Sequence, residues 1–217
     1  MAVNHRRWFV ELALPYLGDD PIEVGSGMGD YALEWSEAMP RFTATEAHPD
    51  RLVALKERFK DLNHVEVREM FLPAEVSGDY SAAVSYNVLE HIEDHVGALR
   101  TMRSLVRPGG AIILIVPAFQ FAMSQVDIAT GHVRRYTKKT MRAALVEAGL
   151  EVERLNYANA LGLIGYYMAT SVFKLTPKEG PMVKFYDDFV LPVTKAAEGI
   201  CRPPFGQSVF AVARRPR

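Results

Sequence analysis

The stretch Pro21-Ile22-Glu23-Val24-Gly25-Ser26-Gly27-Met28-Gly29 decides the fold of this chain. Its apolar first half predicts a buried strand, which leads directly into three glycines spaced two residues apart. Glycine permits positive φ and lets a ligand come close to the backbone, because there is no Cβ in the way. We therefore expect a strand, a ligand-binding turn and a helix, which together begin an open α/β sheet.

Strand and helix signals alternate along the rest of the chain. Apolar periodicity predicts strands at 41–46, 64–68, 82–86 and 111–116, followed by a final pair at 152–157 and 208–213. Helices are predicted at 4–17, 30–38, 49–60, 94–106 and 137–148, with Pro108-Gly109-Gly110 stopping the fourth. Residues 119–136 have the pattern of a loop. This alternation predicts an α/β fold with a mostly parallel sheet and helices on both faces.

The composition is that of an ordinary globular protein. The chain has 217 residues, 49% of them hydrophobic and 24% charged, and a formal net charge of −1. A near-neutral charge disfavours a nucleic-acid partner, because such binding depends on basic surfaces. Cys201 is the single cysteine, so no intramolecular disulfide is expected. The first residues lack a signal-peptide core, which favours a cytoplasmic location.

We predict one domain over 1–217, with two additions to its core. The core covers 19–157 and 207–215, and residues 1–18 form an N-terminal cap helix. Residues 158–206 are too many for a hairpin and are predicted to form a helical lid or a dimerisation insertion. Residues 156–173 carry no charge, but two Asn and two Gly weaken the alternative of a membrane span. No stable membrane insertion is expected, and a homodimer is left open.

The glycine spacing separates two classes of cofactor. A dinucleotide turn has the pattern Gly-x-Gly-x-x-Gly and places a pyrophosphate at a helix N-terminus. Here the third glycine is Gly29, and the acidic Asp30 follows it. A sulfonium cofactor with an ammonium group suits Glu23 and Asp30, whereas a pyrophosphate does not. Glu46 ends the second predicted strand, where a carboxylate can accept hydrogen bonds from both ribose hydroxyls. The alternative is a tight turn beside a surface acid.

From about residue 21 to 118 the sequence resembles the class I S-adenosylmethionine-dependent methyltransferases, in their small-molecule branch. The resemblance rests on the glycine turn, on Glu46, on Tyr86-Asn87-Val88-Leu89-Glu90-His91-Ile92-Glu93-Asp94 and on Arg107-Pro108-Gly109-Gly110. A later stretch, Gly131-His132-Val133-Arg134-Arg135-Tyr136, resembles bacterial methyltransferases associated with glycan and polysaccharide synthesis.

The resemblance implies a Rossmann-like, doubly wound, seven-stranded sheet, mostly parallel with an antiparallel last strand and a helical cap or lid insertion. It implies S-adenosylmethionine as cofactor. The residues expected to bind it are Glu23, Gly25, Ser26, Gly27, Gly29, Glu46, Glu69, Met70 and Asn87. Gly25 and Gly27 would approach the methionine part, Glu46 the ribose, Glu69 and Met70 the adenine, and Asn87 the ammonium group. Two departures are Glu69, where the family more often has Asp, and Tyr80-Ser81, where it more often has Phe-Asp.

The sequence favours oxygen as the methyl acceptor by elimination. The amine-methylating signature, Asn/Asp-Pro-Pro-aromatic after the fourth strand, is absent, because Asn87-Val88-Leu89-Glu90 stands there. A Pro-Cys nucleophile is absent as well, since Ile200 precedes Cys201. The expected acceptor is a small molecule, first a saccharide or oligosaccharide precursor. The alternatives are another natural-product hydroxyl or carboxylate, and a non-catalytic cofactor-binding subunit.

His132 is the candidate general base. It lies between Gly131 and two arginines, in a segment that leaves the carboxyl end of the fifth strand, where ligands of such sheets bind. His91 is the rival, and a purely structural role for His132 is the plainer alternative. The residues expected to bind substrate are His91, Asp127, Arg134, Tyr136 and Tyr166. No metal site is predicted, although Asp127 and His132 joined by another carboxylate would suit a divalent ion.

Overall fold

A computed structural model describes residues 3–174 and 180–217 of the chain. One sheet of seven strands has the order β3-β2-β1-β4-β5-β7-β6. The strands are β1 (Pro21–Val24), β2 (Phe42–Glu46), β3 (Val65–Glu69), β4 (Tyr80–Tyr86), β5 (Val106–Pro117), β6 (Glu151–Ala158) and β7 (Ser208–Arg214). Strands β1 to β5 pair in parallel, and β7 pairs antiparallel with both β5 and β6. The predicted fold class is confirmed.

Helices cover both faces of this sheet. They are α1 (Val3–Leu17), α2 (Asp30–Ser36), α3 (Pro49–Phe59), α4 (His95–Leu105), α5 (Gln125–Ala129), α6 (Lys138–Glu147), α7 (Ala160–Tyr167), α8 (Pro181–Phe185) and α9 (Leu191–Ile200). Short 3₁₀ turns occupy Leu89–His91 and Gln120–Ala122, and π-helical segments occupy Met168–Val172 and Tyr186–Val190. The predicted core helices all form, with ends that shift by one or two residues.

The central strand β5 shows why the sheet is buried on both sides. Its side chains alternate between two cores, as the two-residue period of a strand requires. Ile112, Leu114 and Val116 pack into the core beneath α4 and α6. Ile113 and Ile115 pack into the core beneath α1, α2 and α3. The run of apolar residues thus fixes β5 in the middle of a three-layer structure.

The strand order also fixes where a ligand can bind. The chain passes from β1 to β2 on one side and later returns to place β4 on the other side of β1. The carboxyl ends of β1 and β4 therefore diverge into loops that run in opposite directions and leave a crevice between them. The glycine turn follows β1, and Asn87 follows β4, so both border this crevice.

The prediction of a plain loop over 119–136 was wrong. The segment contains the 3₁₀ turn and helix α5, which begins at a capping box: the Ser124 hydroxyl accepts from the Asp127 backbone N–H, and the Asp127 carboxylate accepts from the Ser124 backbone N–H. This reciprocal bonding satisfies free backbone groups at a helix start and so stabilises even a short helix. The Ser-x-x-Asp spacing was visible in the sequence, but the weak periodicity around it hid the helix.

The turn before β5 also differs from the prediction. Helix α4 ends at Leu105, and β5 begins at once with Val106. Pairing with β4 then jumps from Val106 to Ala111, so the four residues between them bulge out of the ladder. The Pro-Gly-Gly sequence shapes this bulge and does not itself stop the helix.

The insertion after β6 is helical and packs beside α1. Its Asp187 carboxylate accepts hydrogen bonds of 2.9 Å from the backbone N–H groups of Asn4 and His5, and thereby caps the first turn of α1. Among the described residues, none of the helices is long and apolar enough to cross a membrane. Residues 1–2 of the predicted cap helix and 175–179 of the predicted insertion lie outside the described part of the chain.

Candidate active site

A cavity of about 740 Å³ opens at the carboxyl ends of β1, β2 and β4. Its walls come from α1, the glycine turn, the end of β2, the β3–β4 connection and the two segments that follow β4 and β5. The predicted residues that line it are Glu23, Gly25, Ser26, Gly27, Glu46, Met70, Asn87, His91 and His132. The structure therefore brings most of the predicted cofactor residues and the candidate base to one cavity.

The three glycines of the turn have different roles. All have positive φ, at 78°, 58° and 80° for Gly25, Gly27 and Gly29. A Cβ on Gly25 would lie 2.5 Å from a methyl group of Val88, so this glycine allows the β1 and β4 loops to approach. A Cβ on Gly27 would meet nothing within 4 Å, although Gly27 lines the cavity. Gly27 is thus the position where a side chain would take space from a ligand.

Gly29, which is also predicted to contact the cofactor, does not line the described cavity. A Cβ there would lie 2.8 Å from both Leu55 and Phe59 of α3. This glycine is the N-cap of α2 and lets α2 pack closely against α3. The sequence spacing did not reveal the difference, because all three glycines share the same backbone requirement.

Gly27 and Gly29 provide a matched pair of variants. We expect Gly27→Ala to weaken S-adenosylhomocysteine binding at least about tenfold, because a methyl group would occupy ligand space. We expect Gly29→Ala to lower the melting temperature more than Gly27→Ala does. Both changes strain the backbone to a similar degree, but overpacking against α3 destabilises Gly29→Ala by a further ~1–3 kcal/mol. Calorimetric titration and thermal melting check the pair. Equal losses of affinity in both variants would contradict the different roles.

Glu46 organises the cavity wall at the end of β2. It is 6% exposed, and its carboxylate accepts three backbone hydrogen bonds: 2.7 Å from Gly27, 3.0 Å from Ala47 and 2.9 Å from His48. These bonds hold the carboxylate in a single orientation. A carboxylate offers about four acceptor positions, so it can still accept from a ligand hydroxyl.

Glu23 and Ser26 place unsatisfied polar atoms beside the same cavity. Glu23 is 2% exposed, and its Oε2 has no hydrogen-bond partner; the Ser26 hydroxyl is also buried without one. Burial raises the pKa of the Glu23 carboxyl to about 8; the nearby Ser26 hydroxyl opposes this rise, and the charges of Glu46 and Asp30 add to it. Buried polar groups normally have partners, so this pair points to a ligand with polar hydrogens.

Asp30 is less free than the sequence suggested. Its carboxylate pairs with Arg58 at 2.9 Å, and Arg58 also donates to the Met28 carbonyl. The charge of Asp30 is therefore partly offset by a residue of α3.

The two residues predicted to face adenine separate at the end of β3. Met70 lines the cavity, and its backbone N–H donates to the Glu46 carbonyl at 3.3 Å. Glu69 does not line the cavity; it borders a separate surface cleft. Adjacent residues at a strand end point to opposite faces, so only one of them reaches the cavity. The next two residues along the chain, Phe71 and Leu72, also line the cavity.

Asn87 follows β4 in a left-handed conformation, with φ of 53°. Asn adopts this conformation more readily than most residues with a side chain. Its backbone N–H donates to the Ile115 carbonyl at 2.8 Å, which fixes the start of the loop, and the residue lines the cavity as expected.

Glu90, His91 and His132 come together at the other end of the cavity. The His91 and His132 rings meet edge to face with centroids 4.6 Å apart. The His132 Nε2 lies 3.9 Å from the Glu90 Oε1. Glu90 is fully buried, and neither of its carboxylate oxygens has a hydrogen-bond partner. Burial raises the pKa of the Glu90 carboxyl to about 8.

Asp127 holds His132 from the opposite side. Its Oδ1 lies 3.0 Å from the His132 Nδ1, although the ring is not aligned for a good hydrogen bond. The same carboxylate accepts from Arg135, Ser124 and Tyr166 at 2.7, 2.8 and 2.9 Å. Burial opposes ionisation, but the bonds from Arg135 and Ser124 hold the pKa of Asp127 below its ordinary value. Burial and the nearby His91 lower the pKa of His132.

Two backbone hydrogen bonds place His132 beside Glu90. The His132 N–H donates to the Asp127 carbonyl at 2.9 Å, and the Val133 N–H donates to the Glu90 carbonyl at 2.9 Å. Arg134 reinforces this contact by donating to the carbonyls of Ile92 and Glu93. The segment after β5 is thereby tied to the segment after β4.

Four of the five predicted substrate residues do not line the described cavity. Arg134 clamps the loop, and Asp127 is a buried anchor behind His132. Tyr136 is 1% exposed, and its hydroxyl lies 3.0 Å from the His95 Nδ1. Tyr166 is the one insertion residue among them. Its hydroxyl donates to Asp127, and the guanidinium carbon of Arg135 lies over the Tyr166 ring, 4.9 Å from the ring centroid. Among the described residues, 158–206 contribute nothing to the cavity lining.

Sequence reasoning assigned no role to several residues that matter here. Tyr31 and Arg51 line the cavity from α2 and α3. Arg135 is 8% exposed and anchors Asp127. Glu90 lies within a motif that was recognised, but its buried and unpartnered state depends on contacts with residues more than forty positions away. Only its acidic character was a usable signal.

Comparison with known proteins agrees with this architecture. Residues 22–112 match the family model described as "Methyltransferase domain". A search of curated proteins finds no match for the chain.

At the low identities of the following structures, the likeness shows the fold alone. The [4+2]-cyclase SpnF has 17% identity over 97% of this chain and 81% of that chain, with a TM-score of 0.69. Geranyl diphosphate C-methyltransferase from Streptomyces coelicolor A3(2), solved with Mg²⁺, geranyl diphosphate and S-adenosyl-L-homocysteine, has 12% identity over 95% and 78%, with a TM-score of 0.66. N-methyltransferase NodS from Bradyrhizobium japonicum WM9, solved with S-adenosyl-L-homocysteine, has 15% identity over 99% and 89%, with a TM-score of 0.61.

The matched domain contains the glycine turn, Glu46 and the segment from Asn87 to His91. This match over 22–112, together with the sheet order, indicates S-adenosylmethionine-dependent methyltransferase activity. Its cofactor is S-adenosylmethionine. The residues present suit that molecule: the open space at Gly27 admits a ligand against the backbone, and the unpartnered Glu23 and Ser26 can receive its polar hydrogens.

Proposed function

We propose that this methyltransferase methylates a hydroxyl oxygen of a small molecule, with a saccharide or oligosaccharide precursor as the first candidate. The observation that carries the proposal is the position of His132. It lines the cofactor cavity, it has a buried carboxylate behind its Nδ1, and its Nε2 is on the side of Glu90 and His91. A histidine held in this way is suited to accept a proton from a hydroxyl nucleophile.

The cofactor would be held by residues along one wall of the cavity. Glu46 would accept from the ribose hydroxyls, Met70 would contact adenine, and Gly27 would let the cofactor approach the backbone. Glu23, with the backbone beside Asn87, would receive the ammonium group. When bound, S-adenosylmethionine supplies a methyl carbon whose bond to a positively charged sulfur breaks, with both electrons going to sulfur, as the acceptor oxygen bonds to that carbon.

His132 would remove the hydroxyl proton through Nε2, and solvent would later receive it. Asp127 supports this role because it fixes the ring and stabilises the protonated imidazole. Such a base contributes about 10²–10⁴-fold to the rate, and orientation of the reactants contributes more. The loop contacts of Arg134 and Arg135 serve orientation, since they hold the segment that carries His132.

The size of the cavity and the charge of the chain support a small acceptor. Small-molecule sites typically occupy about 300–1,000 Å³, and the cavity falls within that range. The formal net charge of −1 gives no general attraction to nucleic acid. Two proteins of similar structure are a C-methyltransferase and an N-methyltransferase, so the fold does not select the acceptor atom. The choice of oxygen depends on this chain's own residues.

A labelled-methyl transfer screen tests the proposal. Purified enzyme would be incubated with methyl-labelled S-adenosylmethionine and panels of sugars, oligosaccharides, phenols, carboxylic acids and amines, and products would be located by mass spectrometry. We expect label on a hydroxyl oxygen of a saccharide. Label on nitrogen or carbon would contradict the oxygen assignment, and label only on phenols or carboxylates would contradict the saccharide assignment.

Cofactor binding should release a proton from Glu23. Its carboxyl faces the charged groups of Glu46 and Asp30 and the phenols of Tyr31 and Tyr86. A pKa of about 8 keeps Glu23 mostly protonated at pH 7, whereas a cationic ligand favours the ionised form. Affinity should therefore rise with pH up to about 8, with nearly one proton released per cofactor at pH 7.

Titration calorimetry at pH 7 in two buffers of different ionisation enthalpy measures this release. Glu23→Gln is the matched variant, because Gln resembles the protonated carboxyl of the free enzyme. The parent should show a buffer-dependent enthalpy, and Glu23→Gln should show little dependence. Identical enthalpies for the parent in both buffers would exclude the coupling.

A further inference from the structure

We propose that Glu90, His91 and His132 bind a divalent transition-metal ion at the acceptor end of the cavity. Among the described residues, these three form a group whose potential ligand atoms, one from each residue, all lie within 4.8 Å of one another. His91 and His132 also line the cavity, so an ion between them would be open to a small molecule. The acceptor role of that ion rests on the proposed function, whereas the binding of the ion does not.

Glu90 is the residue that distinguishes this group from a chance cluster. Its side chain is fully buried, and both of its carboxylate oxygens lack partners. Its Oε1 lies 3.9 Å from the His132 Nε2. The cationic side chain of Arg135 already donates to Asp127 and to the Ala118 carbonyl. The ionised form of a carboxyl group buried in this way normally pairs with a cation or coordinates a metal.

The donor set indicates the class of metal. One carboxylate and two imidazoles suit Zn²⁺, Mn²⁺, Fe²⁺ or Co²⁺, whereas Mg²⁺ and Ca²⁺ prefer oxygen ligands. Three protein ligands leave at least one position open, which is the arrangement of catalytic rather than structural sites. Ligands at about 2.1 Å from a common ion stand roughly 3.4 Å apart in a tetrahedral arrangement, so modest side-chain rotation would close the site.

Residues around Glu90, His91 and His132 hold these potential metal ligands in position. Asp127 lies behind the His132 Nδ1 at 3.0 Å and would leave Nε2 for the ion. A carboxylate behind a metal-bound histidine is a recurrent arrangement that fixes the ring and raises its basicity. The Val133 N–H to Glu90 carbonyl bond holds the two contributing segments together.

A cation at this place changes how His132 acts. With the ion bound, Nε2 is occupied, and the ion itself favours the deprotonated form of a nearby hydroxyl. Without the ion, Nε2 is available as a base. The proposal therefore makes His132 a ligand in the metal-loaded enzyme.

Titration of the EDTA-treated full chain with Mn²⁺ or Zn²⁺ alone tests the inference by calorimetry. We expect one ion per chain and at least tenfold weaker binding in Glu90→Gln and in His91→Asn. Glu93→Gln is the matched control, since this acid is three residues away and 85% exposed at its side chain; it should bind as the parent does. His91 is exposed, so His91→Asn keeps the test valid if Glu90→Gln fails to fold.

Absence of binding by the parent, or equal affinity in the parent and both variants, would overturn the metal site. The titration needs neither cofactor nor acceptor, so its outcome is separate from that of the methyl-transfer screen. Methyl transfer at full rate in excess EDTA would overturn the acceptor role of the ion and leave the proposed function intact. A bound ion at Glu90 and His91 with no methylated acceptor would support the metal site and count against the proposed function.

Discussion

Replacing Glu46 by Gln is expected to weaken S-adenosylhomocysteine binding by about 30- to 1,000-fold. Two hydrogen bonds from the ribose to a charged acceptor would lose about 2–4 kcal/mol in total. The amide of Gln would also present N–H groups toward the backbone N–H donors of Gly27, Ala47 or His48. The glycine turn would then lose part of its support, which adds to the loss of affinity.

Glu69→Gln is the matched control for this experiment. Glu69 pairs in register with Glu46 on the neighbouring strand, but it does not line the described cavity. We expect its variant to bind the cofactor product as the parent does. Calorimetric titration measures the affinities, and thermal melting of the free proteins shows whether either change unfolds the chain. Unchanged affinity in a folded Glu46→Gln protein would remove Glu46 from the ribose site, and a strong effect of Glu69→Gln would restore its predicted role at adenine.

Replacing His132 by Ala is expected to lower the turnover number about 10²- to 10⁴-fold on the acceptor that the screen identifies. The side chain lies beside Glu90 and His91, whereas the proposed contacts of ribose and ammonium are Glu46 and Glu23. The affinity for S-adenosylhomocysteine should therefore stay within about threefold of the parent value, which is a difference below 1 kcal/mol. A loss of turnover with retained cofactor binding is the signature of a residue that acts on the acceptor.

His64→Ala is a suitable control, because His64 lies outside this cavity and its Nε2 is 3.1 Å from the Ser36 carbonyl. Initial rates at saturating cofactor should fall for His132→Ala and stay near the parent rate for His64→Ala. Parental rates in His132→Ala would exclude His132 as the base and would exclude a role of His132 in catalysis through a bound ion. If the metal site exists, His132→Ala should also weaken Mn²⁺ binding, which a base alone would not do.

The cofactor half of the site was predictable because each part lies close to a strand end. The apolar run of β1, the glycines that follow it and Glu46 at the end of β2 are local features. The order of parallel strands then brings them together. Local sequence patterns could not show which of these residues face the cavity. Glu69 and Met70 are adjacent, yet only Met70 faces the cavity, and Gly29 has the backbone of a ligand turn but faces α3.

The acceptor half depends on contacts between distant segments. His132 was recognisable as a titratable residue after β5, but its approach to Glu90 follows from a backbone bond between Val133 and Glu90. Arg134 likewise donates to the carbonyls of Ile92 and Glu93, in the segment that follows β4. Spacing within a single segment carries no information about such pairings.

The insertion after β6 shows a different limit of prediction from sequence. An uncharged, aromatic-rich stretch is compatible with a lid, a dimer interface or a membrane contact, and periodicity does not separate them. The structure instead shows that Asp187 caps α1, whose His5 and Arg6 line the cavity. The insertion thus supports the cavity through the cap helix. Its assignment as a lid or a dimerisation element stays a prediction.

A crystal structure with S-adenosylhomocysteine tests the central claim most directly, namely that this cavity orients the cofactor with its reactive end toward His132. The account predicts ribose hydroxyl oxygens at about 2.6–3.2 Å from the Glu46 carboxylate. It also predicts the sulfur on the side of Glu90, His91 and His132. A ligand bound elsewhere, or one with its sulfur turned away from these residues, would contradict it.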